Sequence, residues 1–477
     1  MLLPMSPRDS MFLLAESANR PMHVGGLAVF DPPDGGDPDE LPRLFAAAVE
    51  RGAAAPLFRK RARRSLTSLG QWGWEQATEV DLDYHVRRTA VPAPGGMDEL
   101  MVQVSWLHAT PLDRSRPLWE LHLIEGLADG RHAVYVKMHH ALADGVSAMR
   151  LLHRALTTDP SRRDMPTPWE PAQAHAPAGD AGTGSGDGTG SGDATPWQAP
   201  DLLALSGAAV RMARDVAGEV AGLVPALAET VDRAVNHRGG ALTLAAPESV
   251  FNVPVGSARR FAAGSWPLER LRLVAKHADA TINDVVMAMC AGALRRYLDE
   301  HDALPEQSLV AMVPVSMRAD PVGGDTGNKI GSLSCDLATD LADPAERLAG
   351  VRDQMREGKA AMAGRSGVQV LAMSALGAAP LALGMLVGTR GPVRAPNVMI
   401  SNVPGPRDEL YWNGHRLDAL YPLSIPVDGQ ALNITCTSNG DQISFGLTAC
   451  RDAVPHIHTL PAHLGDELGD LERAVGL

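Results

Sequence analysis

The segment Ala133-Val134-Tyr135-Val136-Lys137-Met138-His139-His140-Ala141-Leu142-Ala143-Asp144-Gly145 constrains this chain more than any other stretch. Its first part alternates as a strand does, and residues 146–156 carry the apolar spacing of a helix. A histidine pair therefore ends a strand, and Asp144-Gly145 falls in the turn before a helix, where side chains point into a cleft rather than a core. Imidazole has a free pKa near neutrality, so it can accept a proton from a hydroxyl at working pH. Asp144 can fix either the turn or the tautomer of a ring, and Gly145 allows a backbone conformation that a Cβ resists. Such a constellation is a candidate acyl-transfer centre. The competing readings are a structural pair capping the strand and a zinc site. Helical zinc motifs place their histidines at i and i+4; here they are adjacent, with no Cys or Glu nearby, so no metal is expected.

Other blocks give the motif a context. They are Leu3-Pro4-Met5-Ser6-Pro7 with Met11-Phe12-Leu13, Pro21-Met22-His23-Val24-Gly25-Gly26, Pro111-Leu112-Asp113-Arg114 and Arg116-Pro117-Leu118-Trp119-Glu120. Further on come Asn283-Asp284, Val313-Pro314-Val315-Ser316-Met317-Arg318 and Ser401-Asn402-Val403-Pro404-Gly405-Pro406. Together with His139-His140-x-x-x-Asp144-Gly145 they resemble, in order and over nearly the whole chain, the bacterial wax ester synthase/diacylglycerol acyltransferases. Those form a branch of the CoA-dependent acyltransferase superfamily. The resemblance implies an α/β (α+β) fold of two chloramphenicol-acetyltransferase-like subdomains, with mixed sheets flanked by helices and an active-site channel at their interface. It also implies transfer of a long-chain acyl group from acyl-CoA to diacylglycerol or a long-chain alcohol, giving triacylglycerol or wax ester. The alternatives are acylation of a specialised metabolite's hydroxyl or amine on the same fold, and a non-catalytic lipid-surface paralogue.

Composition narrows the partners. A net charge of −13 over 477 residues, with no long basic run, argues against nucleic acid. The densest basic cluster, Arg59-Lys60-Arg61 with Arg63 and Arg64, reads as a solvated helix face before it reads as a lipid or CoA-phosphate contact. Four scattered cysteines fit reduced thiols in a cytoplasmic protein. Arg8, Asp9 and Glu16 interrupt the apolar residues near the start, so no signal peptide is expected there. Residues 366–389 form a long uncharged stretch, but Gln369, Ser374, Pro380 and many Ala and Gly read as a small-residue helix packed inside the protein, or secondly as a surface dipping into lipid, rather than as a span. Peripheral association with the inner membrane face or with lipid droplets is expected from the neutral-lipid substrates.

The organisation expected is an N-terminal subdomain over residues 1–165, a Gly/Ser/Asp-rich linker over 166–200, connecting helices over 201–240 and a C-terminal subdomain over 241–477. Strands are predicted at 22–30, 121–124, 309–315, 331–337, 397–402, 431–438 and 442–449. Helices are predicted at 41–51, 268–277, 281–298 and 343–359. Thr281 and Asp284 stand at capping-box spacing, which gives Asp284 a structural role.

An alcohol is a poor nucleophile until a base takes its proton, and His140 is the candidate base. Adjacent residues of a strand face opposite ways, so His139 and His140 cannot both enter the channel. The resemblance implies that Asp144 turns away from the ring to pair with an arginine, and Arg318 is the candidate partner. Asn283, Ser401 and Asn402 are candidate donors to the oxyanion of a tetrahedral intermediate; Gly405 belongs to a strand-ending turn, and the resemblance implies that this turn shapes the acyl or acceptor tunnel. There is no G-x-S-x-G elbow, Walker loop or G-x-G-x-x-G fingerprint. Acyl-CoA is thus expected as co-substrate, resting on scattered Arg and Lys side chains, with no other cofactor.

Overall fold

The computed structural model describes residues 2–33, 35–37, 39–64, 71–143, 145–171, 246–317, 329–363 and 394–477, with residues 369, 372, 373 and 381 besides. The elements of the first half are β1 (Leu3–Pro4), α1 (Pro7–Ala15), β2 (His23–Asp31), α2 (Glu40–Glu50), β3 (Lys60–Arg64), β4 (Trp72–Gln76), α3 (Leu82–His85), β5 (Val86–Ala90), α4 (Met97–Ala109), β6 (Trp119–Glu125), β7 (His132–His139) and α5 (Gly145–Ala155). The second half supplies β8 (Arg259–Pro267), α6 (Leu268–His277), α7 (Ile282–Asp299), β9 (Val310–Met317), β10 (Lys329–Asp336), α8 (Pro344–Met362), β11 (Val398–Val403), β12 (Tyr411–Trp412), β13 (His415–Leu423), β14 (Leu432–Asn439), β15 (Gln442–Cys450) and α9 (Leu460–Ala474).

Two six-stranded mixed sheets carry these elements, one ordered β12-β13-β2-β7-β6-β5 and the other β10-β9-β11-β14-β15-β8. A boundary along the sequence does not separate them. β13 leaves the C-terminal half and pairs antiparallel with β2, Tyr421 opposite Leu27 and Pro422 opposite Gly26. β13 has apolar residues for both sheet faces, Leu417 and Leu420 on one and Ala419, Tyr421 and Leu423 on the other, so it belongs in the middle of a sheet. Further bonds stitch the halves together. Phe261 N donates to Ser105 Oγ at 2.8 Å, Arg259 Nη2 to Asn19 O at 2.7 Å, and Arg20 pairs with Asp428 at 2.9 Å.

Two local readings change. The basic cluster beyond Arg59 is strand β3, not a helix face, in a small β1-β4-β3 sheet where Glu75 takes both Arg61 and Arg63. The first residues of the expected linker are packed: Trp169 is fully buried beside Phe45 and Trp119, and Glu170 binds Arg51 at 2.7 Å. The rest of that linker and the connecting helices, residues 172–245, lie outside the described residues. So does most of 366–389; among the described residues no helix is long and apolar enough to cross a membrane. The capping box of α7 forms, Thr281 Oγ1 accepting from Asp284 N and Asp284 Oδ2 from Thr281 N at 2.8 Å.

Candidate active site

Strand alternation sorts the two histidines. Val134, Val136, Met138 and His140 face a cavity, whereas Tyr135, Lys137 and His139 are buried on the other side of the sheet. His140 is half-buried; its N–H donates to Met22 O at 2.8 Å, and its ring stacks on Phe12 with centroids 4.0 Å apart. His139 is wholly enclosed. Its Nδ1 accepts from Ala141 N at 3.1 Å, so the neutral ring carries its proton on Nε2, 3.5 Å from Glu16 Oε1. The His139 carbonyl accepts from Leu142 N and Ala143 N, closing the turn toward α5.

Glu16 ties this turn to two other blocks. One oxygen accepts from Met22 N at 3.1 Å, the other from Arg114 Nε at 2.5 Å, and Arg114 also donates to Leu13 O at 2.8 Å. Burial pushes the Glu16 carboxyl up, but His139, Met22 N and Arg114 outweigh it and hold it below the usual carboxylate range. In sequence Glu16 was only a charge interrupting an apolar run. Its place between Met11-Phe12-Leu13 and Pro21-Met22-His23, both quoted as blocks, was the signal.

The cavity has a volume of about 430 Å³ and spans both halves. On the N-terminal side Val24, Gly26, Ala28 and Phe30 of β2 form its floor, Leu151, Leu152 and Ala155 of α5 its roof, and Phe45, Phe58 and Trp412 line its aromatic part. On the C-terminal side Ser401, Thr435 and Thr437 bring hydroxyls from the paired strands β11 and β14. The Thr437 hydroxyl is buried and has no hydrogen-bond partner among the described residues.

The expected donors separate by the same alternation. Ser401 lines the cavity with Met399 and Val403, whereas Asn402 is exposed and its Nδ2 lies 3.4 Å from Asn283 Oδ1 at the start of α7; neither asparagine lines the cavity. Gly405 sits against β14, where a Cβ would come 1.9 Å from Ser438 O, so its lack of a side chain answers to backbone packing. Gly145 opens α5. Asp144 and Arg318 lie outside the described residues. Among the described residues no cluster of three or more His, Cys, Asp or Glu is placed to hold a metal ion.

Behind β7 runs a buried polar layer. Lys137 Nζ donates to Leu107 O and Thr110 O and pairs with Glu120 at 3.2 Å. Burial pushes the Glu120 carboxyl up, yet His122, Lys137 and Arg87 hold it down at about 2. His108 Nε2 lies 2.9 Å from Ser424 O and must donate there, so its Nδ1 accepts from the Tyr135 hydroxyl at 2.8 Å. Burial holds the His108 ring down at about 3, with Lys137 and Arg259 adding and the Ser424 bond opposing.

Family models match most of the chain, the wax ester synthase/diacylglycerol acyltransferase catalytic domain over residues 5–286 and the WS/DGAT C-terminal domain over 326–472. A putative diacylglycerol O-acyltransferase of Mycobacterium tuberculosis is 56% identical over 472 residues, covering 98% of this chain and 90% of the relative. A probable diacylglycerol O-acyltransferase of the same species is 44% identical, over 99% of each chain. The solved wax ester synthase/diacylglycerol acyltransferase of Marinobacter aquaeolei VT8 superposes with a TM-score of 0.76 at 35% identity, each chain covered in full. The first condensation domain of the CDA synthetase shares the fold alone, with a TM-score of 0.56 at 18% identity over 98% of this chain and 97% of that one. The chain belongs to the wax ester synthase/diacylglycerol acyltransferase family of acyl-CoA-dependent acyltransferases.

Proposed function

We propose that the protein moves a long-chain fatty acyl group from acyl-CoA to the hydroxyl of diacylglycerol or of a long-chain alcohol, with His140 as general base. The observation that carries this reading is the position of His140. It sits on the wall of a single cavity with an apolar N-terminal part and a hydroxyl-lined C-terminal part. In the step proposed, the imidazole takes the acceptor's O–H proton while the oxygen attacks the thioester carbonyl. The tetrahedral intermediate then collapses, the C–S bond breaks and the imidazolium returns the proton to the CoA sulfur. Ser401 and Thr437 supply hydroxyl donors on the side where the oxyanion forms. His139, held by Ala141 N and facing Glu16, positions the turn and does not touch substrate. The apolar walls favour alkyl chains over polar metabolites. The exposed Met11 and Leu14, flanking Phe12 on α1, suit contact with a lipid surface.

The test is CoA release from palmitoyl-CoA with hexadecanol and with dipalmitoylglycerol, wild type beside His140→Ala. Turnover is expected to fall by about 10²–10⁴-fold with unfolding unchanged; equal rates in the two proteins overturn the role of His140.

A further inference from the structure

The adjacent glycines of β2 stand where they do for different reasons. Gly25 faces the buried layer, where a Cβ would lie 3.0 Å from the Tyr135 ring, so close packing demands its small size. Gly26 faces the cavity, and a Cβ built there meets no atom of the described residues within 4 Å. Among the described residues nothing in the packing requires glycine at that position, nor is its φ in the left-handed region. What its missing side chain leaves is open space.

That space has a definite place. The cavity-facing residues of β2 follow in steps of two, from Val24 through Gly26 and Ala28 to Phe30, each step about 7 Å along the strand. Val24 pairs with Met138, next to His140, and Gly26 pairs with Val136 on one side and Pro422 on the other. A chain leaving His140 along this floor crosses the Val136–Gly26–Pro422 row early, before it reaches the Ala28 and Phe30 rows. We propose that Gly26 is a specificity-determining residue, a gauge whose bare backbone lets an unbranched alkyl chain pass into the distal part of the N-terminal cavity. The proposal deepens the function proposed above and rests on it for the identity of the chain, acyl or alcohol.

The test compares wild type, Gly26→Ala and Gly26→Leu in two series. One varies acyl-CoA from octanoyl to palmitoyl with a fixed acceptor; the other varies the alcohol from octanol to hexadecanol with a fixed donor. Gly26→Leu is expected to lower the ratio of long-chain to short-chain kcat/KM at least about tenfold in one series, with Gly26→Ala between it and wild type. The series that moves names the occupant. Ratios unchanged in both series overturn the proposal, as does equal loss at every length. Should Gly26→Leu fail to fold by thermal unfolding, the Gly26→Ala ratios decide by the same criterion. Calorimetric binding of octanoyl-CoA, palmitoyl-CoA, octanol and hexadecanol, each alone, separates the two readings. A wild type that turns nothing over yet loses long-chain binding on Gly26 substitution retains the gauge and refutes the transferase reading.

Discussion

The two faces of β7 are built from opposite materials. Toward the cavity stand Val134, Val136, Met138 and His140; behind it stand Tyr135, Lys137 and His139, each held by charges or hydrogen bonds. The rear face is costly to assemble, since a buried lysine and carboxylate are tolerated only when paired and hydrogen-bonded. It holds the strand in place. The front face makes few specific demands and is free to be a container. Rigidity and the proposed reactivity are thus separated by one residue of alternation, so the base proposed on the front can be aimed by groups on the rear face.

The harshest way to break this division is Glu120→Ala. It strands the Lys137 ammonium in the interior, and the urea unfolding midpoint is expected to report a loss of about 3–5 kcal/mol. The ratio of long- to short-chain turnover should stay as in wild type; a shifted ratio at unchanged stability would mean that the two faces are not separate. A milder probe is Glu16→Gln, which keeps the shape but removes the charge held by Arg114 and facing His139. Its effect is expected at about 1–3 kcal/mol, read as lower kcat with KM held, because Glu16 positions the His140 turn and touches no substrate. A rise in KM alone would place Glu16 in binding instead.

The smallest effect is a pH slope. The His108 ring is held at about 3 in the folded protein, well below the free value, so between that free value and about 3 the unfolded chain binds the extra proton. Stability is therefore fully present at neutral pH and falls as pH drops below about 6.5, by about 1.4 kcal/mol per unit for one proton. Glu120, held at about 2, adds to the fall only below the ordinary glutamate range near 4.5. Unfolding midpoints from pH 8 to 5 should show a plateau and then a decline that His108→Gln makes less steep by one proton, the remainder coming from His23, His85, His132 and His415, which burial also holds below the free value. A plateau persisting to pH 5 in wild type would contradict it.

Much of the fold was legible where the signal is local. The periodicity of β7, α5, α6 and α7 survives in the structure almost to the residue, and the alternation that separates His139 from His140 holds through the strand end. Partnership was not legible. Nothing in 415–423 says that this strand pairs with β2, because pairing depends on a neighbour distant in sequence. Asn402 and Ser401 have equal chemistry on paper, and only their side of β11 distinguishes them. Trp169 was lost among the Pro and polar residues around it, although a tryptophan in such a stretch is itself a sign of docking.

The late arrival of β13 has a consequence for the chain during its synthesis. β2 and β7 can pair once residue 139 has emerged, but the other edge of β2 stays unpaired until residue 423 follows. At ribosomal speeds that interval is on the order of tens of seconds. Throughout it the nascent protein presents an open, apolar sheet edge able to recruit another chain. Expression yield should therefore respond to translation rate and to chaperones acting on the growing polypeptide, and the segment between the two strands is where pausing would do the most harm.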